Sequence, residues 1–248
     1  MTKLLFFTDV HATGISVNHR KDVYINSIIE KLIWIRNYAL DNKYDALLFG
    51  GDLFHVPEPS TSIVNSVLEI FVNISKDMPI YGVIGSHDIH GKSLLTKNRT
   101  AIGTLLISNA VTFVGPEYRE IFDNILLVGF SHTSEEISPC MFDLKLPPNN
   151  VLIEIIHHNV VQESVPWDHI LASNIKTESQ LVLCGHYHNP FRVKYGNTEF
   201  INPGSLGRLE NSVGARTRMP KVVSIEIDGL NIKTDVIDID CAKMDIFK

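Results

Sequence analysis

Five separated segments of this chain place a metal-binding side chain just beyond an apolar run. They are Asp9-Val10-His11, Gly50-Gly51-Asp52, Gly85-Ser86-His87-Asp88, His157-His158 and Gly185-His186-Tyr187-His188. A lone histidine beside an apolar run is ordinarily a core or surface residue, but recurrence of the pattern points to one shared site. Carboxylate and imidazole donors without thiolate suit Mn, Fe, Zn or Mg rather than a structural thiolate zinc site. The donors are too many for one ion. Two ions about 3.5–4 Å apart, bridged by a carboxylate, would use them and position a water for in-line attack on phosphorus. Asp52 is the expected bridge, because the two glycines before it let backbone and metal approach closely. The expected chemistry is hydrolysis of a phosphate ester.

The runs that must position these groups are Leu4 to Thr8, Ala46 to Phe49, Ile80 to Ile84, Val151 to Ile156 and Leu181 to Cys184. Each has the length and apolar content of a buried strand. Strands of one sheet that end together gather the groups at one edge. Alternation along a strand puts Asp9 with His11, and His186 with His188, on a common side. Apolar residues from Ile25 to Ile35 recur with helical period, predicting a helix over about Val23 to Leu40. A second helix is predicted from Ser60 or Thr61 to Ser75, with Ser60 as its N-cap after Pro59. The later half reads as short strands: Val111 to Val114, Ile125 to Gly129, Arg192 to Tyr195, Glu199 to Ile201, Val222 to Ile227 and Ile232 to Ile237. Gly196-Asn197 and Asp228-Gly229 read as hairpin turns. The layout is an α/β chain with a two-sheet β-sandwich flanked by helices.

The order D-x-H, G-G-D-x-x-H, G-x-H-D, H, G-H-x-H resembles the calcineurin-like metallophosphoesterase superfamily, over nearly the whole chain. Gly50-Gly51-Asp52-Leu53-Phe54-His55 followed by Pro59-Ser60 is similar to its DNA repair exonuclease branch, the SbcD-like nuclease subunits. The resemblance implies a four-layer αββα fold and two divalent ions, Mn being the expected metal and Mg, Fe or Zn the alternatives. It implies that Asp9, His11, Asp52 and His188 hold one ion, and Asp52, Ser86, His157 and His186 the other. His87 would contact the scissile phosphate or protonate the leaving oxygen, roles open to an imidazole of ordinary pKa. Asp88 would orient that imidazole, or else cap a loop. His55 would help position DNA or phosphate, while His158 reads as a rim or surface group. One position departs from the pattern: Ser86 stands where the family has Asn. A hydroxyl is shorter and, when neutral, a weaker ligand, so the second ion is expected to bind less tightly and activity to be retained but weakened.

The 248 residues with 44% hydrophobic content suit one compact domain. Residues 1–240 are expected to form the phosphoesterase domain and 241–248 a short C-terminal tail, with no capping domain after them. Cys140, Cys184 and Cys241 have no metal-type spacing and fit a reducing compartment. No leader-like opening or long apolar run is present, so a cytoplasmic protein without membrane contact is expected. The net charge of −6 does not advertise a nucleic-acid binder. Charge location counts for more than its sum, and Arg192 to Lys221 holds six basic and two acidic residues. With Lys92, Lys97 and Arg99, these could neutralise backbone phosphates. Asn202-Pro203-Gly204-Ser205 could offer donors to phosphate, or be a structural turn. The leading expectation is a nuclease acting on DNA ends or single strands, for which the resemblance implies a homodimer and a coiled-coil ATPase partner. A small-substrate phosphodiesterase or phosphatase, and a catalytically weak DNA-binding or assembly subunit, are the alternatives.

Overall fold

Strand β1 (Thr2–Phe7) leads through helix α1 (Tyr24–Asp41) to β2 (Ala46–Phe49), then through α2 (Thr61–Asp77) to β3 (Ile80–Gly82). These coordinates are a computed structural model, which describes residues 1–16, 19–133, 138–242 and 246–247. The three strands pair in parallel, so the intervening helices must cross back over one face. α1 buries Tyr24, Ile28, Leu32, Ile35 and Ala39, and α2 buries Ile63, Val67, Phe71 and Ile74. Both sets follow the three- and four-residue spacing of a helix stripe. Ser60 does sit at the N-cap of α2, but its hydroxyl contacts Ser62 at 3.1 Å rather than a helix N–H.

A short helix α3 (Ile102–Ile107), not anticipated from the sequence, precedes β4 (Thr112–Phe113), which adds in parallel to β3. The chain then builds a second sheet from β5 (Arg119–Phe122), β6 (Ile125–Phe130) and β7 (Val151–Ile156). A separate parallel pair, β8 (Val160–Val161) and β9 (Ile170–Leu171), follows. β10 (Leu181–Cys184), β11 (Phe191–Tyr195) and β12 (Thr198–Asn202) complete the second sheet, in the order β11-β12-β10-β7-β6-β5. After helix α4 (Val213–Thr217), the hairpin of β13 (Lys221–Asp228) and β14 (Asn231–Asp238) returns to the first sheet. Its order is β14-β13-β1-β2-β3-β4. Both expected hairpins form, turning at Gly196 and Gly229 with φ of 59° and 60°.

Two mixed sheets therefore face each other, with helices outside. Leu4, Phe6, Leu48, Leu127, Ile153, Leu183 and Ile225 fill the space between them. Alternate residues of the same strands, Leu5, Phe7, Leu47 and Phe49, point the other way and pack on α1 and α2. The outer face of the second sheet is covered by 3-10 turns at Pro139–Phe142 and Ala172–Asn174 rather than by long helices, with Phe142 packed against Ile156, Val182 and Phe200. Of the described residues in the segment read as a tail, Phe247 is buried and bridges Arg20, and Ile246 O accepts from the Lys21 amide. Among the described residues, no helix is long and apolar enough to cross a membrane.

Candidate metal centre

The parallel strands of both sheets end at the same edge, and the loops leaving them carry the candidate ligands. β1 stops at Phe7, so Asp9 and His11 lie beyond the strand, and strand alternation is not what aims them. Both adopt left-handed backbone, φ 52° and 50°, as do Asp52 at 53° and His186 at 71°. Such conformations cost non-glycine residues about 1–3 kcal/mol each and persist where surrounding contacts over-determine them. Here the contacts are backbone bonds from Asp9 N to Gly51 O and from His11 N to Asp52 O, at 3.0 and 2.9 Å. Two glycines are obligatory for the approach: a Cβ on Gly51 would run into the His157 ring, and one on Gly85 into the Asp52 carboxylate.

Two carboxylate-containing donor clusters result among the described residues. Asp9, His11 and His188 form one, and Asp52, His157 and His186 the other; an all-histidine group of His11, His55 and His87 adjoins the first. Asp52 Oδ2 reaches both, lying 3.7 Å from His11 Nε2 and 3.2 Å from His157 Nε2. His11 and His188 bring their Nε2 atoms to 3.0 Å, and Asp9 Oδ1 stands 3.7 Å from each. Ser86 Oγ lies 3.5 Å from Asp52 Oδ2, so the position where the family has an amide is at the second cluster but filled by a short group.

The donor set fits divalent cations. His157 ties Nδ1 to the Gly50 carbonyl, and its buried Nε2 faces the Asp52 carboxylate without hydrogen-bond alignment. A nitrogen and a carboxylate held this way demand a positive charge between them, which a proton or a metal can supply. The demand is visible in the His157 pKa: burial opposes protonation, but Asp52, aided by Asp9, lifts it to about 9. Burial would raise Asp9, yet the His11 hydrogen bond and the charges of His157 and His188 hold it down at about 2. Asp52 is likewise held well below the carboxylate range, its burial outweighed by His157, His11 and His87. His186 falls to about 3 through burial and the charge of His157, leaving a neutral imidazole with a lone pair to give.

His87 stands beside the first cluster, its ring 4.8 Å from that of His11 and stacked on that of His55 at 5.2 Å. Its Nδ1 pairs with the His55 carbonyl at 2.8 Å, which leaves Nε2 for the cleft. Burial, reinforced by the charges of His11 and His87, lowers His55 to about 4. The expectation that Asp88 orients His87 is corrected. Asp88 Oδ1 accepts from Phe54 N at 3.1 Å and Oδ2 from Gly85 N at 2.9 Å, so it braces the loops behind the site. Both oxygens are taken by amides, and the imidazole finds a carbonyl instead. Burial and the charge of Asp52, only partly offset by those two amides, raise Asp88 to about 7.

His158 is buried, not at the rim, and stacks on His132 at 5.0 Å. His132 lies next to the second cluster and was not anticipated, since Ser131-His132-Thr133 carries no ligand spacing. The basic segment is mostly committed elsewhere: Arg192 pairs with Glu199 at 2.8 Å, and Lys221 pairs with Asp238. Arg218 does line the cleft, with Nη2 held by Ser205 Oγ and Gly207 O at 2.6 and 2.9 Å. The 202–205 turn is structural. Asn202 Nδ2 donates to Tyr187 O at 2.6 Å, Ser205 N to His188 O at 3.2 Å, and Leu206 N to Thr8 O at 3.1 Å. The cleft lined by His11, Asp52, His87, His186 and His188 has a volume of about 540 Å³ and includes Trp167, 55% exposed, and Tyr187.

The model of the calcineurin-like phosphoesterase superfamily domain matches residues 3–227, from β1 through β13. The chain belongs to this superfamily. Two relatives of this phosphoesterase are DNA double-strand break repair proteins Mre11. That of Methanococcus maripaludis is 22% identical over 193 residues, 73% of this chain and 51% of the relative. That of Archaeoglobus fulgidus is 22% identical over 199 residues, 71% of this chain and 44% of the relative. The chain thus spans about half the length of these relatives. A dimetal phosphatase from Danio rerio has the same fold, with a TM-score of 0.66, 11% identity and 96% of each chain covered. Membership implies divalent metal ions and metal-dependent phosphoesterase activity.

Proposed function

We propose that this phosphoesterase is a dinuclear phosphodiesterase that hydrolyses DNA, acting on single strands or ends. The observation that carries the reading is Asp52 Oδ2, which lies within reach of His11 in one donor cluster and His157 in the other. Asp9, His11 and His188 would hold one divalent ion and Asp52, His157 and His186 the other, and such ions, when bound, would supply Lewis-acid charge for the phosphate oxygens and for an attacking water. The protein's own groups do the rest. His87 presents Nε2 to a phosphate or leaving oxygen, its ring fixed by the His55 carbonyl and the stacked His55 ring. Asp9 is held in place by Thr8 Oγ1 at 2.6 Å and by the His186 amide.

Two features favour a nucleic acid as the diester. The relatives described above are DNA repair proteins. Exposed Trp167 and neighbouring Tyr187 line the cleft and offer faces for unpaired bases to stack on. A small phosphodiester or monoester is the second reading. It is favoured by the net charge of −6 and by the commitment of Arg192 and Lys221 to acidic partners rather than to a phosphate backbone. Mn-dependent hydrolysis of end-labelled single- and double-stranded DNA, run beside bis-p-nitrophenyl phosphate, separates them. Salt-sensitive DNA cleavage is the expected result; turnover of the small diester alone would transfer the assignment to the second reading.

A further inference from the structure

The loop after β6 is stitched to the loop that carries Ser86. His132 N donates to Ile84 O at 2.9 Å, and Ile84 N donates to Ser131 Oγ at 3.0 Å. This places the His132 ring 5.0 Å from that of His186 and 6.3 Å from that of His157, both in the second donor cluster. The ring is buried, at 6% exposure, and stacks on His158. Its Nδ1 faces the His157 carbonyl at 3.3 Å, a geometry only a protonated Nδ1 satisfies, so Nε2 carries the lone pair. That Nε2 is shielded from water and has no hydrogen-bond partner among the described residues.

His157 has a related arrangement: Nδ1 tied to a backbone carbonyl, and a buried Nε2 that faces the Asp52 carboxylate at 3.2 Å. A ring nitrogen donating to a carbonyl while the other nitrogen stays free is the habit of metal-binding histidines. The neighbouring Ser86 is the one position of the second cluster with a ligand too short for its task. We propose that His132, which stands just outside the Asp52, His157 and His186 donor group, serves the second divalent ion through one bridging water held on Nε2, and so supplies the donor that Ser86 lacks. The assignment rests on the two-ion reading of the site.

The test is Mn(II) binding by calorimetry, with electron paramagnetic resonance to detect spin coupling between paired ions. The proteins are the natural chain, His132→Phe, Ser86→Asn and the double variant. The natural chain should bind two ions. His132→Phe should weaken the second roughly 10- to 100-fold and abolish the coupled signal while the first ion stays. Adding Ser86→Asn should restore both, because an amide oxygen makes the extra donor redundant. A lost packing contact would not respond to Ser86. Should His132→Phe fail to fold in chelator, His132→Ala in the same two backgrounds reads the same coupling. Two ions bound equally well without His132, or a loss that Ser86→Asn does not repair, would overturn the role of His132 alone. One ion or none in every protein, Ser86→Asn included, would overturn the two-ion reading with it.

Discussion

Asp52 offers Oδ2 to histidines of both donor clusters and receives the His87 amide on Oδ1 at 2.8 Å, so one carboxylate ties together residues from three other loops. Replacing it should therefore remove more than one ligand's worth of affinity. Asp52→Ala should abolish Mn-dependent hydrolysis and lower the bound Mn stoichiometry, measured by calorimetry. His87 is different, because only its backbone amide touches Asp52 while its side chain turns Nε2 to the cleft. His87→Ala should keep both ions and lose about 10²–10⁴ in kcat, the usual share of a positioned acid or base. Loss of Mn binding in that variant would rule out the phosphate-contacting role.

The strand exits hold these residues in strained backbone, and their glycines are the thin points. Gly51 has φ of 97°, and a Cβ there would meet the His157 ring. Gly51→Ala should cost more than about 1 kcal/mol, since both the conformation and the space are wrong, with Mn affinity falling as His157 is displaced. Denaturant midpoints and calorimetry check both parts. On β7, Glu154 is fully buried, hydrogen-bonded by Thr177, and pushed by burial to about 7. A raised carboxyl pKa means the fold binds this proton more tightly than the unfolded chain does. Its contribution is complete below the ordinary value of 4.5 and is lost as pH rises through about 7. Glu154→Gln should flatten that slope, so the variant loses about 3 kcal/mol less than the natural chain between those limits. Urea titrations across pH measure the difference.

At the scale of the molecule, the site is a seam between two sheets. Leu206 and Gly207 donate to Thr8 and Asp9 at 3.1 and 3.0 Å, and His186 N reaches the Asp9 carboxylate across the same gap. Ions that bind across the seam should stabilise the whole fold, because the unfolded chain cannot assemble ligands from both sheets. At 100-fold excess over its dissociation constant, one ion contributes about 2.7 kcal/mol. Removing metal with a chelator should accordingly lower the melting temperature by roughly 5–10 °C for a domain of this size. Differential scanning fluorimetry with and without Mn reads this directly.

The two-sheet layout, the long helices and the convergence of the candidate ligand residues were legible in sequence because they rest on local signals: apolar runs, helical spacing and fixed motif order. Asp9, His11, Asp52, Ser86, His157, His186 and His188 are all found at one edge, where the strand ends predicted they would be. Sequence could not give the reason they face inward, since strand alternation stops at Phe7 and left-handed backbone, sustained by bonds between loops, takes over. It left Asp88 open between orienting His87 and capping a loop, which the partners Phe54 and Gly85, set by loop packing, decide for the loop, and it placed His158 at a surface that the second sheet's outer cover buries. His132 left no trace in any spacing. Its place beside His186 follows from β6 lying next to β7, and its pairing with the loop after β3 from the two sheets closing on one another. Local chemistry fixes which residues can bind a metal; only the meeting of distant strand ends decides which nitrogen is left buried and bare.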